Sequence, residues 1–371
     1  MKLDSLRLVN WRNYHENELV FSPGINVICG DNAQGKTNLI EAVSYLGLAS
    51  SFRGADDSDL ILHGADYFFL AARIERERYG SAEINAAMDR RRHRKWSVNG
   101  EAKKRLADII GICHSVVFSP DDIDLVKGGP DRRRRWLNRQ LSQNDAVYCR
   151  DMLDYNRVLH QRNALLRNWA KNPDEDSLRI WDQQLAEYGA KVALGRSRAI
   201  EALIPIAVEI HASLSGGEKL AMEHSCKILP KDGKGDIEEI KENFRRELAA
   251  HAVAEQTRGI TLVGPHRDEL KLFINGDAAR DFASQGQQRT LAVSLKLAEL
   301  ELARQMKGEY PILLLDDVLS ELDDTRRRRI LELPGKTQTF ITAAGKDLPA
   351  IDGKKLLISR DAEGYAQVKE I

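Results

Sequence analysis

Gly30-Asp31-Asn32-Ala33-Gln34-Gly35-Lys36-Thr37 fits G-x-x-x-x-G-K-[ST], a loop that cradles phosphate. Its flanks agree with that reading. Gly24-Ile25-Asn26-Val27-Ile28-Cys29 is a short apolar, β-branched run that reads as a buried strand. Asn38 to Leu46 carries apolar residues at helical spacing. Strand, glycine loop and helix, in that order, form the context the motif needs. Gly30 and Gly35 let the backbone turn tightly and bring its N–H groups to phosphate oxygens. The helix N-terminus adds its dipole. Lys36 then reaches the β- and γ-phosphates, and Thr37 offers a hydroxyl to Mg²⁺.

Such a site needs an acidic residue at the end of a second apolar strand. Tyr310-Pro311-Ile312-Leu313-Leu314-Leu315-Asp316-Asp317 supplies it. Four apolar residues in a row suit a central parallel strand covered on both faces. Asp316 is then the Mg²⁺ partner, and Asp317 stands where a water-activating carboxylate belongs. ATP and Mg²⁺ are the expected cofactors, with Lys36, Asp316 and Asp317 as the catalytic set.

The chain has 371 residues, a length that suits two domains. At 42% hydrophobic residues it can bury a sizeable core. Lysine plus arginine number 56, matched by 56 acidic residues, so any nucleic-acid binding must come from local patches. Cys29, Cys113, Cys149 and Cys226 are scattered without metal-ligand spacing and read as reduced thiols of an intracellular protein. The N-terminus lacks the apolar core of a signal peptide, and no stretch approaches a membrane span. A cytoplasmic protein with no membrane partner is expected.

The order of elements predicts an α/β fold. Residues 2–9, 68–74 and 82–88 alternate as strands do, and Val98-Asn99-Gly100-Glu101 reads as a hairpin turn. Ser119 to Pro130 is a composition break. From Asp131 to about Ala170 the chain reads as helical, Asn172 to Ser177 breaks and recaps it, and a second helical run extends through Ile200 toward Ile210. Two such segments make an antiparallel hairpin, and at 1.5 Å per residue about 38 residues reach roughly 57 Å. Residues 1–127 and 257–371 are expected to form the nucleotide-binding head, and 128–256 a short helical arm. Residues 237–256 and 287–306 read as further helices, and Thr339-Phe340-Ile341-Thr342 as a strand followed by two more.

Three basic runs are candidate contacts for a phosphate backbone. One is Arg90 to Lys95, with Arg91, Arg92 and Arg94. Another is Arg132 to Arg135, with Arg132 and Arg133. The third is Arg326 to Arg329, which opens a later helix. A solvated strand edge or helix face explains each run as well.

Some loop NTPases complete their site only as dimers, a Ser-Gly motif of one subunit gripping the γ-phosphate held by the other. Leu214-Ser215-Gly216-Gly217-Glu218 is the literal form of that motif, and Ser284-Gln285-Gly286-Gln287-Gln288 a degenerate one. The second precedes a long helix whose first N–H groups can face phosphate, and that helix feeds the strand ending at Asp316. The first is followed by a strand-like run, so Ser215-Gly216-Gly217 reads as a helix C-cap or loop. Ser284, Gln285, Gly286 and Gln287 are therefore the expected trans signature.

With these pieces assembled, the chain resembles the RecF family, ABC-type ATPases related to the SMC proteins. The resemblance rests on Asn10 to Tyr14, on Gly30 to Thr37 with Asn38 and Glu41, and on Ser51-Phe52-Arg53. It continues through Ser119-Pro120-Asp121-Asp122, Leu125 to Gly128, Gly264-Pro265-His266-Arg267-Asp268, Ser284 to Gln288 and Leu315 to Asp323. It implies an SMC-like ATPase head with mixed sheets, an ATP-dependent homodimer, slow hydrolysis and DNA binding at gaps and single-strand/duplex junctions. It also implies work with RecR and RecO to load RecA and to support the SOS response. Ser320, Glu321, Leu322 and Asp323 would be the dimer-contacting loop. Asp317 stands where such ATPases usually have Glu, and Ile341-Thr342-Ala343 where a switch His is usual. The shorter Asp317 suits a slow switch. A transporter nucleotide subunit and a small-molecule P-loop kinase are the alternatives.

Overall fold

The computed structural model describes residues 1–230, 235–319, 324–331, 336–344 and 351–371. In chain order its elements begin with β1 (Lys2–Trp11), β2 (Tyr14–Val20), β3 (Ile25–Gly30), α1 (Lys36–Leu48), β4 (Tyr67–Arg76), β5 (Gly80–Asp89), β6 (Arg94–Val98), β7 (Glu101–Lys103) and β8 (Ser115–Phe118). There follow α2 (Asp124–Lys127), α3 (Pro130–Asn144), α4 (Ala146–Arg167), α5 (Glu175–Ser215), β9 (Leu220–Ser225), α6 (Ile237–Arg258), β10 (Glu269–Ile274), β11 (Asp277–Ala278), α7 (Ala279–Phe282) and α8 (Gln285–Lys307). The chain closes with β12 (Ile312–Leu315), α9 (Asp324–Leu331), β13 (Thr339–Ala344), β14 (Lys354–Arg360) and β15 (Ala366–Glu370).

Two compact units result: Met1–Asp122 with Lys296–Ile371, and Ile123–Leu295. The second unit takes in 257–295, which the sequence reading had assigned to the head. The reason is pairing inside that unit. β10 runs antiparallel to β9, with Leu272 opposite Met222, and Arg196 of α5 reaches Asp268 at 2.7 Å.

The first unit holds two sheets. One is antiparallel, in the order β2-β1-β4-β5-β6-β7. Its period-two pattern buries Leu6 and Leu8 of β1, Phe68 and Leu70 of β4, and Ile84 and Ala86 of β5. Asn99 and Gly100, both at positive φ, make the tight turn from β6 to β7. The other sheet runs β15-β14-β3-β13-β12-β8, parallel except for β15. Ile312, Leu313, Leu314 and Leu315 are all fully buried, as a strand covered on both faces requires. α1 belongs to the same core: Tyr45 packs edge-on against Trp11 at 5.2 Å and against Phe68 at 5.5 Å.

The second unit is more than a helical hairpin. The expected 131–170 helix is two helices, because Asp145 leaves helical geometry and its carboxylate caps Val147 N–H at 2.7 Å. α4 and α5 do pair antiparallel. Tyr148 lies against Gly195, Tyr155 against Gly189, and Arg162 against Asp182. α5 runs 41 residues, about 61 Å, and ends in the left-handed Gly216. α6 then lies along both, with Phe244 on Gly189 and Glu255 on Arg162 at 2.7 Å. Tyr155, Leu185, Ala190 and Phe244 are the buried centre of this bundle.

Gly189 is where that bundle is tightest. A Cβ there would meet Phe244 Cε1 at 2.3 Å and Tyr155 Cε2 at 3.0 Å. Both rings are fully buried, so neither can swing aside. Alanine would gain about 1 kcal/mol of helix propensity, while overpacking a filled core costs about 1–3 kcal/mol. Gly189→Ala is expected to lose up to about 2 kcal/mol net, read as a lower urea midpoint with an unchanged m-value.

Candidate nucleotide site

Parallel pairing puts the C-terminal ends of β3, β13 and β12 on one edge of the sheet, the edge where open α/β sheets bind ligands. Gly30 to Thr37 leaves β3 there. Gly30 (φ 148), Ala33 (φ 61) and Gly35 (φ 124) give the loop its left-handed turns. A Cβ on Gly30 would meet Ile358 O at 2.3 Å, so the strand next door also demands glycine. The loop is braced from several sides. Asn13 Nδ2 donates to Gln34 O at 2.8 Å, Tyr14 Oη to Gly35 O at 2.9 Å, and Arg360 to Ala33 O at 2.8 Å. Arg12 clamps buried Glu41 of α1 with two bonds of 2.7 and 2.9 Å, and Ser51 Oγ donates to the same carboxylate.

Lys36 is only 5% exposed. Its ammonium donates to Gly30 O at 2.8 Å and Asp31 O at 2.9 Å, and among the described residues it makes no ion pair. A buried cation held by carbonyl oxygens alone suits an anionic group with several oxygens. The acidic strand supplies the other half. Thr37 Oγ1 donates to Asp316 Oδ1 at 3.0 Å. Thr342 Oγ1 lies 3.1 Å from Asp316 Oδ1 and 3.2 Å from Asp317 Oδ1, and accepts Asp317 N–H at 2.7 Å. Asp317 itself stands at φ 51, in the left-handed region.

Sequence reasoning noticed Thr342 only as the absence of a histidine. Here its single hydroxyl bridges both carboxylates and orients them. The signal was available in retrospect: a hydroxyl on the strand between the loop strand and the acidic strand. Asn13, Tyr14 and Arg360 likewise had no role until the fold brought them to the loop. Hydroxyl and carboxylate oxygens at Thr37 and Asp316 fit a hard cation such as Mg²⁺. Among the described residues no three His, Cys, Asp or Glu side chains gather as a ready-made metal site, so phosphate oxygens and water would complete the shell.

The other sequence candidates lie elsewhere. Ser284 to Gln287 belong to the second unit, where Ser284, Gln285 and Gly286 are exposed at the start of α8. Ser284 and Gln287 form a capping box: Ser284 N–H donates to Gln287 Oε1 at 2.8 Å and Gln287 N–H to Ser284 Oγ at 3.3 Å. Gly216 and Gly217 of the literal motif take left-handed turns beyond α5, with open space around both. Ser320, Glu321, Leu322 and Asp323 fall outside the described residues. Arg91 is exposed, Arg92 pairs with Asp56 at 2.7 Å and Arg94 with Asp57. Arg132 faces outward beside Asp124 at 3.5 Å. Arg133, which the sequence grouped with these, turns inward. It is 5% exposed and spends its guanidinium on Glu269 at 2.7 Å and on the carbonyls of Leu125 and Gly128.

Burial raises the Asp316 carboxyl above its ordinary range, with Asp317 adding to the rise and the Thr37 and Thr342 hydroxyls opposing it. The native state therefore binds the proton more tightly than the unfolded chain does. Stability falls as pH rises from the ordinary carboxylate range through the raised value, and stays reduced above it. Asp316→Asn, which keeps the acceptor for Thr37, is expected to stabilise the protein at pH 8 by roughly 0.5–2 kcal/mol. That gain should shrink by pH 5, with urea midpoints at the two pH values as the measurement.

Comparison with known proteins agrees with this geometry. Residues 2–348 match the family model of the RecF/RecN/SMC N terminal domain. A DNA replication and repair protein RecF of Geobacillus kaustophilus is 40% identical over 369 residues, covering 98% of this chain and 97% of its own length. The one from Rippkaea orientalis is 41% identical over 92% of this chain and 93% of its own. Among solved structures, RecF with ATP from the RecFOR pathway superposes with a TM-score of 0.92 at 36% identity, over all of this chain and 97% of that one. An Smc head domain from Pyrococcus yayanosii, 14% identical with a TM-score of 0.58 over 100% and 97%, shares the fold. No helix among the described residues is long and apolar enough to cross a membrane. The RecF relatives and the RecF structures do not favour the transporter-subunit and kinase alternatives. The chain belongs to the RecF family of DNA replication and repair proteins and has the fold of SMC-related ABC-type ATPases.

Proposed function

We propose that this chain is an ATP-gated clamp on DNA with a weak ATPase. Gly30 to Thr37 wrap the phosphates of ATP, and Lys36 swings from its two carbonyls to the β- and γ-phosphates. Thr37 and Asp316 hold Mg²⁺, which when bound neutralises charge that builds on the phosphate oxygens. Asp317 orients a water for in-line attack on the γ-phosphorus. The bond from that phosphorus to the β–γ bridging oxygen breaks, ADP keeps the bridging oxygen, and phosphate leaves with the water's oxygen. Asp is one methylene shorter than Glu, so its reach to that water is poor and turnover is slow, as a switch requires. Ser284 to Gln287 of a second copy complete the γ-phosphate shell, and Ser320 to Asp323 contact the partner copy.

The observation that carries this reading is the joint between Thr37 and Asp316 at 3.0 Å beside buried Lys36, which makes no ion pair among the described residues. The family relatives support its setting: one neighbouring solved structure is RecF with ATP, described in the RecFOR pathway. We carry over from the family the DNA targets, gaps and single-strand/duplex junctions. Cooperation with RecR and RecO in loading RecA, a part in the SOS response and work in the cytoplasm come with them. Arg91, Arg92, Arg94 and Arg132 are the cations offered to the DNA backbone. Arg133 serves it only by holding α3 in place.

Light scattering with and without ATP and Mg²⁺ tests the clamp. The 41.8 kDa chain should double its mass only with ATP, and Ser284→Arg should abolish the doubling. A mass indifferent to ATP overturns the reading. Loss at Gly216 or Gly217 rather than Ser284 transfers the trans role to the other motif. Asp317→Asn should still dimerise while hydrolysing ATP about 10²-fold more slowly or worse. For DNA, Arg91→Ala should lower the salt slope of binding by about one without changing sequence preference.

A further inference from the structure

Leu214-Ser215-Gly216-Gly217-Glu218 was set aside as a signature, yet its last residue touches the segment chosen instead. Glu218 Oε1 accepts from Gln287 Nε2 at 2.8 Å. That same Gln287 closes the capping box with Ser284. Gln287 thus has both ends of its amide engaged, the oxygen by Ser284 N–H and the nitrogen by Glu218. Glu218 is itself fixed. Its N–H donates to Ser215 Oγ at 3.1 Å, just past the left-handed Gly216 that ends α5. Behind it stands fully buried His211 of α5, whose Nε2 lies 3.5 Å from Glu218 Oε2 and whose Nδ1 lies 3.2 Å from Ser294 Oγ. Ser294 donates to Thr290 O at 2.7 Å and Thr290 to Gly286 O at 2.9 Å, so α8 is gripped over its first turns.

We infer that Glu218 is a positioning residue: it holds Gln287, and through it the Ser284 capping box, in the geometry that meets the partner copy's nucleotide. The inference rests on the proposed role of Ser284 to Gln287. Without Glu218 the Gln287 amide has a freed donor and can rotate. Ser284 N–H then loses its acceptor, and an exposed helix start held by two reciprocal bonds frays. The literal glycine motif thereby acquires a task. Gly216 and Gly217 reverse the chain at left-handed φ, so that Glu218 returns to the start of α8. A charged acceptor beside an amide donor makes a stronger bond than a neutral one, but the position of the oxygen matters more than its charge.

Three measurements on the full chain decide it. Amide hydrogen exchange without nucleotide reads the positioning directly. In Glu218→Ala, the Gln287 and Gln288 amides should exchange about five- to tenfold faster, the range a lost cap implies, with α4 and α6 amides unchanged. ADP affinity of the monomer should be unaltered, while ATP-dependent dimerisation weakens about tenfold by light scattering. Glu218→Gln should restore both exchange and dimerisation, since its amide oxygen still accepts from Gln287. Unchanged exchange in Glu218→Ala, or a Glu218→Gln that behaves like the alanine variant, overturns the inference. If the wild type does not dimerise with ATP, the trans-signature reading fails and the inference with it. Exchange that changes as expected then leaves Glu218 as a capping support only.

Discussion

Asp316 sits largely out of water with a second carboxylate next to it, at the edge of a sheet. A buried charge of this kind is costly unless something answers it. Two hydroxyls do so in part, from Thr37 on the glycine loop and Thr342 on the strand between. Those three residues come from elements far apart in the chain, Thr37 and Asp316 being 279 positions apart. Only a sheet with β3, β13 and β12 side by side and in parallel register can bring them together. The order of the sheet, the full burial of Ile312 to Leu315 and the bracing of the loop by Asn13, Tyr14 and Arg360 all serve that meeting.

The second unit solves a different problem. Its bundle is built around charges as well as apolar side chains. Arg162 lies between Asp182 and Glu255, Arg196 reaches Asp268, and Arg133 reaches Glu269. Buried pairs of this kind add little net stability, because desolvation offsets most of the attraction, but losing one partner is severe. They act as registers. Each joins two separate elements and discriminates against a slipped packing of long helices, where a purely apolar seam tolerates more than one alignment.

Much of this was legible in the sequence, and the limits have physical causes. The glycine loop and the acidic strand announce themselves by local pattern and formed where periodicity and turn residues put them, and the long helices did so apart from one break. The break at Asp145 was missed because one capping carboxylate interrupts a run whose apolar spacing is otherwise continuous. The packing of α6 along α4 and α5 was missed because it depends on Gly189 and Phe244 meeting across the bundle, and no local pattern shows that. Arg133 looked like its neighbours in a basic run. A four-residue run on a helix faces nearly every direction, so one member had to point inward. Thr342 is a single hydroxyl whose worth depends on what lies opposite.

The placement of β3 has a further consequence, for how the chain is made. Its two neighbours in the sheet are β13 and β14, and both lie beyond residue 336. A ribosome that has released the glycine loop must synthesise the whole of Ile123–Leu295 before either neighbour exists. Through that interval an apolar strand, Ile25 to Cys29, has no partner on either edge. Parallel pairing at such separation is slow to nucleate, and an unpaired apolar strand is exposed to wrong partners meanwhile. The inserted unit, with its mostly local helical contacts, can be complete long before the phosphate loop has a sheet to stand on. In synthesis, the nucleotide site can form only after the inserted unit is complete.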